Sequence, residues 1–232
     1  MLWSLRQRFK FTRFQLFVHA AALAPLVWLI ADTLRGNLTA NPIQDLEIRT
    51  GKDALVFLVL SLACTPLNTI FHFRLALKVR RALGLYAFFY ASLHFAIFLG
   101  LDYLFDPGLL LEAIFEKRYA LVGFAAFLTL VPLAITSTRG WMKRLGKRWS
   151  RLHKLVYLTG MLVVIHYAWS LKSDIRVPIL YGVVITFLLI ARLPAMRKYL
   201  SNLGWTRGFT IKISGIRKVN SPLPRMNANQ NE

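Results

Sequence analysis

The chain has 232 residues, of which 56% are hydrophobic, and it carries a formal net charge of +20. Ordinary soluble domains do not combine so apolar a composition with so high a charge, so the apolar residues must be segregated into blocks. Basic residues at the ends of membrane segments explain the charge through topology and anionic lipid headgroups, and we assign no nucleic-acid role.

Six apolar stretches follow one another along the chain, at residues 14 to 34, 54 to 72, 84 to 104, 119 to 138, 152 to 171 and 178 to 194. Each is near the roughly 20 residues that a helix needs to cross a hydrocarbon core about 30 Å thick. A signal peptide could imitate the first stretch, but its continuation through PLVWLIA favours an uncleaved anchor. The pattern predicts an all-α, polytopic membrane bundle of six transmembrane helices.

The basic residues are distributed unequally between the two sides of these stretches. The side with the N-terminus, the 73 to 83 and 139 to 154 loops and the C-terminal tail holds 23 basic residues and one acid, Glu232. The opposite side holds seven basic and nine acidic residues. The positive-inside rule therefore predicts that both termini are cytoplasmic and that the 35 to 53, 105 to 118 and 172 to 177 loops lie outside.

The domain organisation follows from the same pattern. We expect residues 1–195 to form one membrane domain, without an internal repeat detectable in the sequence, and residues 196–232 to form a basic, partly disordered cytoplasmic tail. Cys64 is the only cysteine, so a metal must be held mainly by histidine. No GxGxxG motif or P-loop is present, so a nucleotide reductant would need a partner protein. Prolines 25, 66 and 132 interrupt apolar stretches, where kinks can open room for a planar cofactor.

Histidines at membrane depth are costly and usually mark function. His94 in the third stretch and His166 in the fifth both fall toward the outer half. Two neutral imidazoles that face each other across a bundle can supply both axial ligands of a heme. The alternative is that each histidine is a structural polar residue bonded to a neighbouring carbonyl or hydroxyl.

His153 is the candidate for a second, inner heme, because it lies about 20 Å before His166 along a straight helix. Such a helix places the two histidines roughly 140° apart in azimuth, so they would not share a face. The inner partner is open: His19 and His72 are both candidates, whereas Arg80 stands fourteen residues before His94 and arginine does not ligate iron. Arg80 and Arg81 are candidates for heme propionate contacts or for positive-inside anchors.

Four segments carry a resemblance to a known family: NPIQDLEIRTGKDAL, LGLYAFFYASLHF, ITSTRGWMKRLGKRWSRLHKLVYL and IHYAWS. Together they resemble the MsrQ family, the heme-binding membrane subunit of the bacterial periplasmic methionine sulfoxide reductase system, within the ferric-reductase-like transmembrane group. The likeness runs from about residue 15 to residue 195. It implies heme b, one or two per chain, with His94, His153 and His166 as heme-associated residues.

The resemblance also implies a bacterial inner-membrane subunit that transfers electrons and leaves substrate conversion to its partner. The donor would be the quinone pool or a cytosolic flavin reductase, and the acceptor a periplasmic molybdenum-containing methionine sulfoxide reductase. FMN is implied as a cofactor, without residues to assign to it. A general quinol-oxidising cytochrome b or ferric reductase, a histidine-dependent transporter and a structural anchor for an extracytoplasmic enzyme remain alternatives.

Overall fold

The protein is described by a computed structural model that covers residues 12–171, 174–193 and 195–196. Within these ranges the chain is helical and contains no strand, which confirms the all-α prediction. The helices are α1 (Arg13–Arg35), α2 (Pro42–Phe71), α3 (Arg74–Ile97), α4 (Pro107–Glu116), α5 (Arg118–Ile135), α6 (Arg139–Leu145), α7 (Lys147–Leu152), α8 (Leu155–Ser170) and α9 (Arg176–Ile190). Beyond residue 196, the predicted tail lies outside the described residues.

Among the described residues, four helical segments are long and apolar enough to cross a membrane. They are α1, α2, α5, and α3 together with the π-helical turn Phe98–Asp102 that continues it. The apolar helix α9 has 15 residues, and α8 has 16. Six spans with both termini cytoplasmic therefore remain a prediction.

Two segments expected in outer loops are helical. Helix α4 occupies most of the 105 to 118 loop, and α2 begins about a dozen residues before the second apolar stretch. In both cases an N-cap side chain and a proline at the start of the helix explain the difference. Asp106 accepts hydrogen bonds from the N–H groups of Gly108 and Leu109, and Asn41 accepts one from Gln44.

The bundle is built around two antiparallel helix pairs. Helix α3 packs chiefly against α2, and α8 packs chiefly against α5. We call the end where α2 and α5 begin and α3 and α8 finish the acidic end, and the opposite end, with α6 and α7, the basic end. At the acidic end Arg49 forms an ion pair with Asp32 (2.6 Å), which ties α2 to α1, and a second one with Asp45 (2.9 Å) within α2.

A second tie at the acidic end joins the end of α3 to the start of α5. Lys117, between α4 and α5, donates a hydrogen bond to the hydroxyl of Tyr103 (2.5 Å). That hydrogen bond raises the pKa of Lys117. The contact helps to set the position at which α5 begins.

Tyr90 of α3 is inserted into the backbone hydrogen bonding of α1. Its hydroxyl accepts from the N–H of Leu26 (3.2 Å) and donates to the carbonyl of Ala22 (2.7 Å), so it bridges two groups that would otherwise bond each other. The insertion lies beside Pro25, and Tyr90 is fully buried. Side-chain insertion is a recognised way to accommodate a distorted helix, and here it fixes α1 against α3.

Replacing Tyr90 with Phe is expected to lower the free energy of unfolding by about 1–3 kcal/mol, because two buried backbone groups lose their partner. Thermal unfolding in detergent would measure the loss. Tyr103→Phe, which removes a hydroxyl from an exposed hydrogen bond, is the control and should have a smaller effect. Equal stability of Tyr90→Phe and the unmodified protein would show that α1 closes its own bond there.

Candidate functional site

His94 near the end of α3 and His166 near the end of α8 meet at the acidic end of the bundle. Their ring centroids are 6.1 Å apart, and the ring planes are inclined at 73°. The two helices reach this meeting point from different pairs, α3 from its pair with α2 and α8 from its pair with α5. The site therefore lies where the two helix pairs adjoin.

Each of these imidazoles is held by a backbone carbonyl of the helix that packs against its own. Nδ1 of His94 lies 3.0 Å from the carbonyl oxygen of Glu47, and Nδ1 of His166 lies 2.8 Å from that of Tyr119. A carbonyl oxygen can only accept, so Nδ1 of each ring carries the proton. In a neutral imidazole the remaining nitrogen, Nε2, then has a lone pair available for a metal.

A glycine stands one helical turn after each of these carbonyls. Gly51 follows Glu47 by four residues, and Gly123 follows Tyr119 by four. A Cβ atom at Gly123 would lie 2.6 Å from Nδ1 of His166, and one at Gly51 would lie 3.3 Å from Nδ1 of His94. Only a residue without a side chain admits the His166 ring to this position, whereas a Cβ atom at Gly51 would need the His94 ring to shift by only a few tenths of an ångström.

We call each histidine with its carbonyl and its glycine a half-site. The two half-sites contain the same three groups in the same order along the chain. In both, 47 residues separate the residue that supplies the carbonyl from the histidine. Sequence reasoning found no repeat and missed both glycines. The sequence does contain a glycine 43 residues before His94 and another 43 residues before His166. Glycine is common in membrane helices, however, so this spacing alone does not identify a site.

The donor set fits a heme iron better than a bare metal ion. Among the described residues no group of three or more His, Cys, Asp or Glu side chains is placed to hold a metal, whereas a structural zinc site uses four protein ligands. A heme iron needs only axial ligands from the protein. With metal–nitrogen bonds of about 2 Å, the 6.1 Å between the ring centroids would suit a metal held between the two imidazoles.

Glu47, whose backbone carbonyl holds His94, also has a half-buried carboxyl group. Its Oε1 atom has no hydrogen-bond partner among the described residues. Because buried polar atoms are normally satisfied, this oxygen is free to accept a hydrogen bond from a water or a bound group.

His153 lies at the basic end, in the turn between α7 and α8, although the sequence placed it within the fifth apolar stretch. Its Nε2 is 3.1 Å from the hydroxyl of Thr136, and its ring stacks on Trp149 at 4.1 Å between centroids. The Thr136 hydroxyl donates its one proton to the Pro132 carbonyl (2.6 Å). Nε2 of His153 must therefore be the donor to Thr136, and only Nδ1 keeps a lone pair in the neutral ring.

The other candidate residues are distributed along the basic half of the bundle. Nδ1 of His19, on α1, lies 2.9 Å from the hydroxyl of Tyr86. His72 ends α2 in a left-handed conformation and is exposed. Arg80 and Arg81 are exposed on α3, and Arg80 donates to the hydroxyl of Thr65 (3.2 Å). The structure thus brings His94 and His166 together, whereas it gives His153 a hydroxyl and an indole as neighbours.

Comparison with known proteins identifies the family. Residues 50–164 match the family model described as "Ferric reductase like transmembrane component", a range that includes Gly51, His94, Gly123 and His153. No solved structure matches.

Two relatives named "Protein-methionine-sulfoxide reductase heme-binding subunit MsrQ" illustrate the similarity. One, from Xanthomonas euvesicatoria pv. vesicatoria, is 48% identical over 178 residues, which cover 74% of this chain and 82% of the relative. Another, from Rhodospirillum rubrum, is 44% identical over 196 residues, which cover 84% of this chain and 93% of the relative. At this identity and coverage, the chain belongs to the MsrQ family of methionine sulfoxide reductase subunits, with a ferric-reductase-like membrane domain.

Proposed function

We propose that this chain is a membrane cytochrome b subunit whose heme is held by His94 and His166. The observation that carries the proposal is the pair of imidazoles at 6.1 Å, each with Nδ1 bound to a backbone carbonyl. That arrangement leaves Nε2 of both rings as the ligating atom. The names of the relatives describe heme-binding subunits, which supports the same cofactor here.

A heme in this site supplies reversible one-electron chemistry. The chain's own residues supply ligation and its tuning. The carbonyls of Glu47 and Tyr119 fix the ring orientations and make the imidazoles more basic, which favours the ferric state. Gly51 and Gly123 provide the space that lets the rings reach those carbonyls.

We further propose the direction of electron flow. Electrons enter from the quinone pool or a cytosolic flavin reductase and leave to a periplasmic molybdenum-containing methionine sulfoxide reductase, which repairs oxidised periplasmic proteins. This assignment rests on the proposed topology of six spans in the inner membrane, which puts the acidic end outside. Acidic side chains of the outer segments would then steer a partner with a complementary surface.

The inner half of the chain supports two further proposals. His153 is the candidate ligand of a second heme, with His19 or His72 as the opposite ligand, and its Nε2 would first have to give up the bond to Thr136. Arg80 and Arg81 are the candidates for contacts to the propionates of such a heme. FMN is proposed as a further cofactor from the family resemblance alone.

The dithionite-reduced minus oxidised absorbance spectrum of the purified protein tests the proposal, together with pyridine hemochrome quantification of heme per chain. A b-type spectrum with one heme is the expected result for a site at His94 and His166. Two hemes per chain would require a ligand opposite His153. A colourless protein after expression with adequate heme supply would contradict the proposal and favour a transporter or an anchor.

The physiological acceptor needs a separate measurement. We expect the dithionite-reduced protein to be reoxidised by a purified molybdenum-containing methionine sulfoxide reductase faster than by ferric chelates. The reverse order would favour a general ferric reductase. Stopped-flow absorbance at the reduced heme band distinguishes the two.

A further inference from the structure

One turn of α2 at the basic end binds two guanidinium groups. Arg192, which follows α9, donates from Nε to the carbonyl of Leu62 (3.1 Å) and from Nη2 to the carbonyls of Ser61 and Leu62 (both 2.9 Å). Arg80, on α3, donates from Nη1 to the hydroxyl of Thr65 (3.2 Å). We call Arg80 and Arg192 the arginine pair, since both bind residues 61–65.

Pro66 explains why Arg192 binds where it does. A proline has no backbone N–H, so the carbonyl of Leu62, four residues earlier, lacks its helical donor. Arg192 supplies that carbonyl with two donors. The side chain is thereby fixed in place, but its acceptors are neutral and leave its positive charge uncompensated.

Among the described residues, no carboxylate neutralises the arginine pair. The described residues form two ion pairs, and Arg49 at the acidic end makes both of them. Two adjacent like charges repel each other, and the half-buried position of Arg192 weakens the screening of its charge by water. A site of this kind is stabilised by an anion.

The unused donors indicate what kind of anion fits. Nη1 of Arg192, and Nε and Nη2 of Arg80, make no hydrogen bond to the described residues. Guanidinium groups present their N–H donors in a planar fork that matches the oxygens of a phosphate group. Arg80 is exposed, so a ligand can reach the pair from outside the bundle.

We propose that Arg80 and Arg192 form a binding site for the phosphate group of a ligand at the basic end of the bundle. The phosphate belongs either to the headgroup of an anionic lipid or to a soluble phosphate ester such as a flavin mononucleotide. Arg80 lies about 21 Å from His94 along α3. The site therefore goes beyond the heme proposed at His94 and His166, whereas its flavin alternative rests on the FMN proposed above as a cofactor, and a propionate contact of Arg80 would compete with it.

The test compares Arg80→Gln with Arg81→Gln in nanodiscs of phosphatidylcholine. The two variants lose the same charge from neighbouring positions, and only Arg80 contacts the turn at residues 61–65. The first probe is FMN, with riboflavin as the same ring system without phosphate, and binding is followed by flavin fluorescence. The second probe is phosphatidylglycerol, mixed into the nanodiscs and followed by the temperature of unfolding.

A soluble phosphate ester is the ligand if FMN binds more tightly than riboflavin and Arg80→Gln weakens FMN binding at least about tenfold while Arg81→Gln does not. A lipid is the ligand if phosphatidylglycerol raises the unfolding temperature of the unmodified protein and of Arg81→Gln but not that of Arg80→Gln. If both variants respond alike to both probes, only general surface charge acts and the proposal is wrong. Loss of heme from Arg80→Gln alone would overturn it in favour of a propionate contact.

Arg192 is a poorer choice for the first variant, because its removal leaves the Leu62 carbonyl, which Pro66 deprives of its helical donor, without a hydrogen bond. Arg80→Gln loses only the bond to Thr65, so we expect it to fold. If it does not, Arg80→Lys keeps the charge and removes the planar fork. The same two probes then apply, with Arg81→Lys as its control.

Discussion

Replacing His94 or His166 with Ala is expected to remove the heme absorbance of the purified protein. Each substitution deletes one of the two imidazoles whose rings lie 6.1 Å apart, and no other described His, Cys, Asp or Glu side chains form a group that could hold the metal instead. If the protein binds a single heme, either substitution should reduce the pyridine hemochrome yield at least about tenfold, as expected for loss of an axial ligand.

His72→Ala is the control for the single-heme case, because His72 is an exposed histidine at the end of α2, far from His94 along the chain. If one heme binds, this variant should keep the full heme content; if two bind and His72 is the ligand opposite His153, it should lose that second heme alone. If two hemes bind, His94→Ala and His166→Ala should each leave one, and His153→Ala should remove the other. Unchanged absorbance in both His94→Ala and His166→Ala would overturn the ligand assignment, whatever the fold or the family.

The sequence predicted the helical class and drew attention to two of the histidines, because both features give strong physical signals. Long apolar runs must form helices in lipid, where the backbone has no other partner. Histidine is rarely placed at membrane depth without a role, so His94 and His166 stood out among apolar neighbours. Their distance could not be predicted, since it depends on how the α2–α3 pair packs against the α5–α8 pair.

Other features were not predictable because their signals are local or ambiguous. The insertion of Tyr90 into α1 depends on a hydroxyl meeting the helix beside Pro25, and tyrosines are common in such helices for other reasons. The carbonyls that hold the histidines belong to Glu47 and Tyr119, but any residue type has a carbonyl. Arg192 is one of many basic residues at its end of the bundle, and nothing in the sequence distinguishes it as the donor to the Leu62 carbonyl.

The prediction for His153 shows how a regular helix can mislead. A straight helix through residues 152 to 171 puts His153 and His166 on different faces. In the structure α7 ends at Leu152 and α8 begins at Leu155, so the intervening turn resets the direction of the His153 side chain. The azimuthal objection to a second heme therefore no longer applies, and the engagement of Nε2 by Thr136 takes its place.

Replacing Gly123 with Ala is expected to remove most of the heme although the substitution touches no ligating atom. The new Cβ would lie 2.6 Å from Nδ1 of His166, well inside van der Waals contact, and the ring would have to leave the Tyr119 carbonyl. Loss of such an outer-shell partner typically lowers metal affinity about 10–100-fold. Heme retention after dilution into apomyoglobin, a heme acceptor, would measure the loss.

Gly51→Ala serves as the variant with an intermediate expected effect, and Gly140→Ala serves as the control with none. At Gly51 the nearest His94 atom would be 3.3 Å from the new Cβ, so a shift of a few tenths of an ångström suffices and the loss of affinity should be smaller. At Gly140, in α6, the nearest atom is 4.0 Å away, and the substitution should leave heme binding unchanged. The loss of heme should therefore be largest for Gly123→Ala, smaller for Gly51→Ala and absent for Gly140→Ala, because it depends on the distance between the new Cβ atom and its nearest neighbour. Equal retention in all three variants would mean that the His166 ring binds heme from another position, and the repeated carbonyl, glycine and histidine unit would then have no part in holding it.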